Sequence, residues 1–233
     1  MSPSIAVIIP TLNEEELLPR LLSRLLEGED RVEQVVVADG GSTDRTREIA
    51  RAAGCDVVEC AAGRGRQLAH GADSARAEVL LFLHADTVPA EGALEALRTR
   101  YQDEAVQVTS MSQRVEAKGV FFRAVERFAD FRSSRLGMVY GDSGLGVRHA
   151  AYASSGGYKD LSIFEDVVLS RDLRRDNRIE LVADARLLVS PRRWEKEGAL
   201  SCTLRNWMLF VAFLLGRDPE RLAKHYEPHS HNS

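Results

Sequence analysis

The chain has 233 residues, 44% of them hydrophobic and 28% charged, with 31 Lys and Arg against 35 Asp and Glu for a formal charge of −4. These proportions exclude a disordered or collagen-like chain and a small disulfide scaffold. The slightly acidic balance also argues against nucleic acid as a partner, because a nucleic-acid binder carries a basic footprint. Cys55, Cys60 and Cys202 are odd in number and form no C-x-x-C pair, so reduced thiols in a cytoplasmic protein are expected. No basic leader precedes the first apolar run, and no run is long enough to span a bilayer.

Taken in order, the elements alternate. Ile5 to Ile9 is a β-branched run closed by Pro10, the pattern of a strand buried on both faces. Leu17, Leu18, Leu21, Leu22, Leu25 and Leu26 follow at helical spacing. Gln34 to Ala38 reads as a second strand, Thr43 to Ala53 as a helix stopped by Gly54, and Asp56 to Glu59 as a weaker strand. A helix near Arg66 to Arg76, a strand Val79 to Leu83 and a helix Ala90 to Tyr101 complete four βα units. Such alternation predicts an α/β fold with a mostly parallel, Rossmann-like central sheet and helices on both faces.

The second half is less regular. Val106 to Val115 reads as a strand. Phe121, Val125 and Phe128 mark a helix whose apolar stripe is expected to pack in the core. The Gly-rich stretch Tyr140 to Tyr158 is expected to be irregular, Glu165 to Arg175 helical, Ile179 to Val189 extended and Ala199 to Leu215 helical.

Ligands of open α/β sheets lie beyond the carboxyl ends of the strands, and four polar clusters fall there. Pro10-Thr11-Leu12-Asn13-Glu14 follows the first strand, with Asn13 able to cap a helix. Asp39-Gly40-Gly41-Ser42-Thr43-Asp44 follows the second; its glycines admit a close ligand, Asp39 could accept from a base N–H, and Ser42 or Thr43 could cap a helix. Gly63-Arg64-Gly65-Arg66-Gln67 offers two guanidinium groups suited to phosphate, but Leu68 stands where a dinucleotide fingerprint needs its third glycine. His84-Ala85-Asp86-Thr87 places a carboxylate where it can hold a hard divalent cation. Each cluster alone also reads as an ordinary turn or cap. Their shared edge of one sheet is what makes a nucleotide pocket.

Read together, Pro-Thr-Leu-Asn-Glu-Glu, Asp-Gly-Gly-Ser-Thr-Asp and His-Ala-Asp resemble the nucleotide-sugar half of the family 2 glycosyltransferases, over about residues 4–195. Leu80 to Thr87 and Arg192-Arg193-Trp194 resemble most a small prokaryotic subgroup, the radical-SAM/selenodomain-associated transferases. The resemblance implies the GT-A fold: a domain over 1–198, with a nucleotide half to about 103 and an acceptor half beyond it, followed by a C-terminal helix and tail over 199–233. It implies that Pro10, Thr11, Asn13 and Glu14 cradle the nucleoside, that Asp39 with Gly40 and Gly41 meets the uracil edge, and that Arg66 reaches the nucleotide. In place of the family's D-x-D stands His84-Ala85-Asp86. Asp86 is therefore expected to hold Mg²⁺ or Mn²⁺, while His84 replaces the ribose-binding carboxylate and is the second choice as metal ligand.

On the acceptor side the resemblance implies Asp166 as catalytic base beside Glu165, although acids in a first helical turn also complement the helix dipole. Asp142, Gly157 and Tyr158 match acceptor loops. Arg193-Trp194 matches the end of the processive members' Q-x-x-R-W motif, whose Gln is missing, so processive synthesis is not expected. The implied reaction is metal-assisted, inverting transfer from a nucleoside-diphosphate sugar, UDP being the commonest donor nucleotide, to an unidentified hydroxyl acceptor. Two other readings compete. A nucleotidyltransferase would want Gly and Lys in Pro10 to Glu15, which has neither. A non-catalytic nucleotide-sugar binder would leave Asp86 and Asp166 without a task. Trp207 to Leu215 is apolar on all sides and flanked by Arg205 and Arg217, which calls for burial in protein, a second copy, or peripheral contact with the inner face of a membrane. That last alternative suits a lipid acceptor. His225, His229 and His231 read as a tail rather than a metal site.

Overall fold

The aliphatic runs of the first half form adjacent parallel strands: β1 (Ile5–Thr11), β2 (Gln34–Asp39), β3 (Asp56–Glu59) and β4 (Val79–Phe82). A computed structural model describes residues 2–27 and 29–225, leaving aside the side chains of 193, 196, 197, 199 and 200. The sheet continues through β5 (Thr87–Pro89), β6 (Val108–Val115), β7 (Leu145–Arg148) and β8 (Ile179–Val189) in the order β3-β2-β1-β4-β7-β6-β8-β5. The β1–β2, β1–β4, β2–β3 and β6–β8 pairs are parallel, and β7 runs antiparallel to both β4 and β6. Strand β5 runs antiparallel to β8, so the sheet is mostly parallel with two reversed strands, β7 inside it and β5 at its edge.

Alternation along the strands sorts side chains into two cores. Ile5, Val7, Ile9, Val35 and Val37 face one way and meet α1 (Leu18–Leu26) and α4 (Ala93–Tyr101). Ala6, Ile8, Val36, Leu80 and Phe82 face the other way and meet α3 (Arg64–Asp73) and α7 (Glu165–Leu173). Each aliphatic side chain so buried is worth about 1.5–3 kcal/mol. Leu18, Leu21, Leu22 and Leu25 carry the predicted stripe inward. Pairing of β1 with β4 ends at Ile8, so Pro10 costs no ladder bond on that side.

Several expectations are corrected. The stretch Tyr140 to Tyr158 is ordered: a single 3₁₀ turn (Gly141–Ser143) leads into β7, and α6 (His149–Ser154) follows. Phe121, Val125 and Phe128 do lie on a helix, α5 (Val120–Phe131), but not in the core. Phe128 and Phe131 are 39% and 51% exposed, and Phe122 packs edge-on against Trp194. A helical period shows that a face exists, and the chain folded over it decides whether that face is buried. Helix α2 (Thr46–Ala52) begins later than expected, so neither Ser42 nor Thr43 caps it, and Asn13 caps no helix either. The chain closes with α8 (Arg192–Glu197), α9 (Ala199–Leu214) and α10 (Pro219–Ala223). His229 and His231 lie outside the described residues.

Candidate active site

Strand direction assembles the site. Strands β1, β2 and β4 end at one edge, with Thr11 paired to Asp39 and His84 to Asp86 just past β4. Because β7 is reversed, it begins at that same edge and brings Gly141 to Ser143 with it. Strand β8 ends there too, at Val189, delivering Ser190 and Trp194. A cleft of about 200 Å³ opens at this edge, and both Asp86 and Asp166 line it, together with Arg64, His84, Asp142 and Trp194.

The donor-side loops are tied to one another. The Asn13 backbone N–H donates to Ser42 Oγ at 2.9 Å, the Thr43 N–H donates to Asn13 Oδ1 at 2.8 Å, and the Glu14 N–H donates to Thr46 Oγ1 at 2.7 Å. Asn13 adopts a positive φ of 56° to make this link, a conformation Asn tolerates. Asp39 is fully buried. Its Oδ1 accepts from the Gly41 and Ser42 N–H groups, and its Oδ2 from the Thr11 and Ser42 hydroxyls. Gln67, which the motif reading passed over, donates through Nε2 to the carbonyls of Thr11 and Ala38 at 2.8 and 2.9 Å. It locks the ends of β1 and β2 together beneath Gly40, where a Cβ would come within 3.0 Å of the Gln67 side chain.

Of the two loop arginines, Arg64 lines the cleft and stands 3.4 Å from Glu165, whereas Arg66 points outward and pairs with exposed Asp160 at 2.6 Å. Of the two, Arg64 is thus the guanidinium that faces the cleft. Ala85 is 4% exposed and packs into the core, acting as the spacer between His84 and Asp86.

In the same cleft, α7 begins with two buried acids. Glu165 is 1% exposed, and its Oε2 has no hydrogen-bond partner among the described residues. Tyr158 donates its phenol to Asp166 Oδ1 at 2.7 Å. Burial, then the Glu165 charge, pushes the Asp166 carboxyl up to about 7. Gly141 leaves open the space beside this carboxylate: a Cβ there would come within 2.1 Å of His84 Nε2 and 2.9 Å of Asp166 Oδ2. Gly157 supports from behind, against the Tyr152 ring, whose hydroxyl accepts from the Tyr158 N–H. Asp142 sits 3.7 Å from Arg132. The Arg193 side chain is outside the described set, and Arg192 lies 3.3 Å from Glu16.

The charges fit a divalent cation. Glu14 is pushed up to about 7 by burial and then by the charge of Asp86, against the lowering pull of Arg192 and Arg64. Ligand atoms of His84, Glu165 and Asp166 lie within 4.8 Å of one another, a grouping of imidazole and carboxylates suited to such an ion, whereas Asp86, the expected ligand, is not in that group.

A cleft at the carboxyl edge of a mostly parallel sheet, lined by Asp86 behind β4 and by a buried carboxylate at the start of α7, is the architecture of the GT-A fold. The sequence profile of glycosyl transferase family 2 matches residues 6–156. The chain is 39% identical over 107 residues to the 4,4'-diaponeurosporenoate glycosyltransferase of Staphylococcus haemolyticus, a match covering 42% of this chain and 28% of that protein. Its fold is shared with S. aureus TarS 1-349 at a TM-score of 0.68 and 18% identity, covering 94% of this chain and 68% of that one. Glucosyl-3-phosphoglycerate synthase from Mycobacterium tuberculosis, crystallised with Mn²⁺, UDP and phosphoglyceric acid, superposes at a TM-score of 0.62 with 20% identity, covering 93% of this chain and 80% of that one. This chain belongs to glycosyl transferase family 2.

Proposed function

We propose that the protein transfers a sugar from a nucleoside-diphosphate donor, UDP-linked in the first instance, to an acceptor hydroxyl by a single inverting displacement. The observation that carries this reading is that Asp86 and Asp166 line one and the same cleft. The loops after β1 and β2, rooted on Thr11 and Asp39, receive the nucleoside. Asp86 would hold Mg²⁺ or Mn²⁺, with His84 beside it, and the ion would supply positive charge to the leaving diphosphate. Arg64 adds its own charge on that side of the cleft. Asp166, with Oδ1 held by Tyr158, keeps Oδ2 for the acceptor proton. As the acceptor oxygen bonds to the anomeric carbon, the bond to the diphosphate breaks on the opposite face. The Mn²⁺ and UDP in the mycobacterial neighbour's crystal support this donor chemistry.

We also place the chain nearest the radical-SAM/selenodomain-associated subgroup, on Leu80 to Thr87 and Arg192 to Trp194. The curated relatives span far more sequence than this chain covers, so the acceptor belongs to the proposal; a lipid acceptor agrees with the apolar character of α9.

Thermal shift against a panel of uridine and guanosine diphosphate sugars, with and without Mn²⁺, tests the reading. Stabilisation by one donor only with the cation, and slow cation-dependent hydrolysis of it without acceptor, are expected. Binding with no turnover under any condition would favour a non-catalytic nucleotide-sugar binder.

A further inference from the structure

Helix α9 has two apolar sides. One side closes the cleft, through Cys202, Asn206 and Leu209, and through Phe213, which stacks on Phe164 at 4.7 Å. The other side is bare: Leu204, Met208, Val211 and Leu214 are 45–61% exposed and Leu215 is 80% exposed. Trp207 joins this face to α5, its ring 5.4 Å from Phe128, and the apolar surface runs on through Phe131 and Leu136. Apolar surface this continuous is uncommon on a face that meets only water.

The charges around the face are mostly basic. Between residues 118 and 136 the exposed charged side chains are Lys118, Arg127 and Arg135, while Glu126 is buried and Asp130 half-buried. Helix α9 contains one charged residue, Arg205; exposed Arg217, Arg221 and Lys224 follow it, against exposed Asp218, which pairs with Arg221, and Glu220, which is bonded to Ser162. A twofold dimer would set this surface against itself and bring a mostly basic rim to a mostly basic rim. Apolar side chains with Trp among them, edged by Arg and Lys, match an anionic bilayer surface.

We infer that the α5–α9 face docks on an anionic membrane leaflet, which sets the inner side of α9, and with it the cleft, beside the lipid headgroups. This deepens the transferase reading by naming the surface on which a lipid acceptor would be presented, and it rests on that reading only for the acceptor.

Flotation of the full chain with vesicles of phosphatidylcholine, alone or mixed with phosphatidylglycerol, tests it. Binding to the mixed vesicles at least ~10-fold stronger than to phosphatidylcholine alone, and weakened by salt, is expected. Met208→Glu with Val211→Glu should cut that binding more than ~10-fold, and nucleotide affinity with Mn²⁺ should stay within ~2-fold because the sites are separate. Arg127→Gln with Arg135→Gln should remove chiefly the preference for anionic lipid. A wild-type chain that stays with the soluble fraction in both mixtures overturns the inference, as does a dimer that the double Glu variant splits and that binds no vesicle. Nucleotide binding on the same samples separates the two readings: if it is intact without flotation, the surface is wrong and the transferase stands; if it is absent with flotation, the reverse holds.

Discussion

The two halves of the sheet prepare for chemistry in opposite ways. In the first, the loops after β1 and β2 are bonded to each other, Asp39 spends both oxygens on its own turn, and Gln67 ties the strand ends together. In the second, Glu165 and Asp166 are buried with little compensation, and Asp166 is raised well above the ordinary carboxylate range. A cradle that is satisfied before the ligand arrives binds without reorganising. A buried carboxylate held short of its charge partner is poised to accept a proton. Donor-side changes should therefore move affinity, and acceptor-side changes should move rate.

The sharpest break in that division is Asp166→Asn. It should lower transfer by ~10³-fold or more while nucleotide affinity, read by calorimetry, stays nearly unchanged; full activity would remove Asp166 from its role. Gly141→Ala comes next. Its Cβ would overlap the His84 ring, so the ring must move and the cleft with it. A ~10–100-fold fall in rate is expected, with the melting temperature close to wild type. Tyr158→Phe removes the hydrogen bond that holds the Asp166 pKa down. The base is active when deprotonated, so wild-type activity should rise with pH through about 7. The variant's pH–rate curve should shift to higher pH, with ~3–10-fold less activity at neutral pH. The smallest effect is Arg66→Ala, an exposed pair that should change kcat/KM less than ~2-fold. Arg64→Ala, at the cleft, should weaken donor use clearly more than that.

The same contrast governs what could be read in advance. Four βα units repeat a local pattern, so strands β1 to β4 and the clusters behind them were legible from residues 5 to 101. Asp86 and Asp166 were legible as well, one following a strand and the other opening a helix. Strand β7 was not: Leu145 to Arg148 is four residues with no alternation inside a Gly-rich stretch, and its place in the sheet comes from antiparallel pairing to β4 and β6. The three residues of β5 were missed for the same reason. Choosing between Arg64 and Arg66 required the packing of α3 against residues 159–161, where the Gly65 N–H donates to the Leu161 carbonyl. No local signal carries that contact. Nor does the apolar stripe of α5 state which face of the molecule covers it.

We propose that Asp86 grips the donor through a divalent cation in the cleft that Asp166 also lines. Calorimetric titration of UDP with and without Mn²⁺, into wild type and Asp86→Ala, tests it most directly. The account predicts affinity that depends on Mn²⁺ in the wild type and loses that dependence in the variant. Equal Mn²⁺-dependent affinity in both proteins would contradict it.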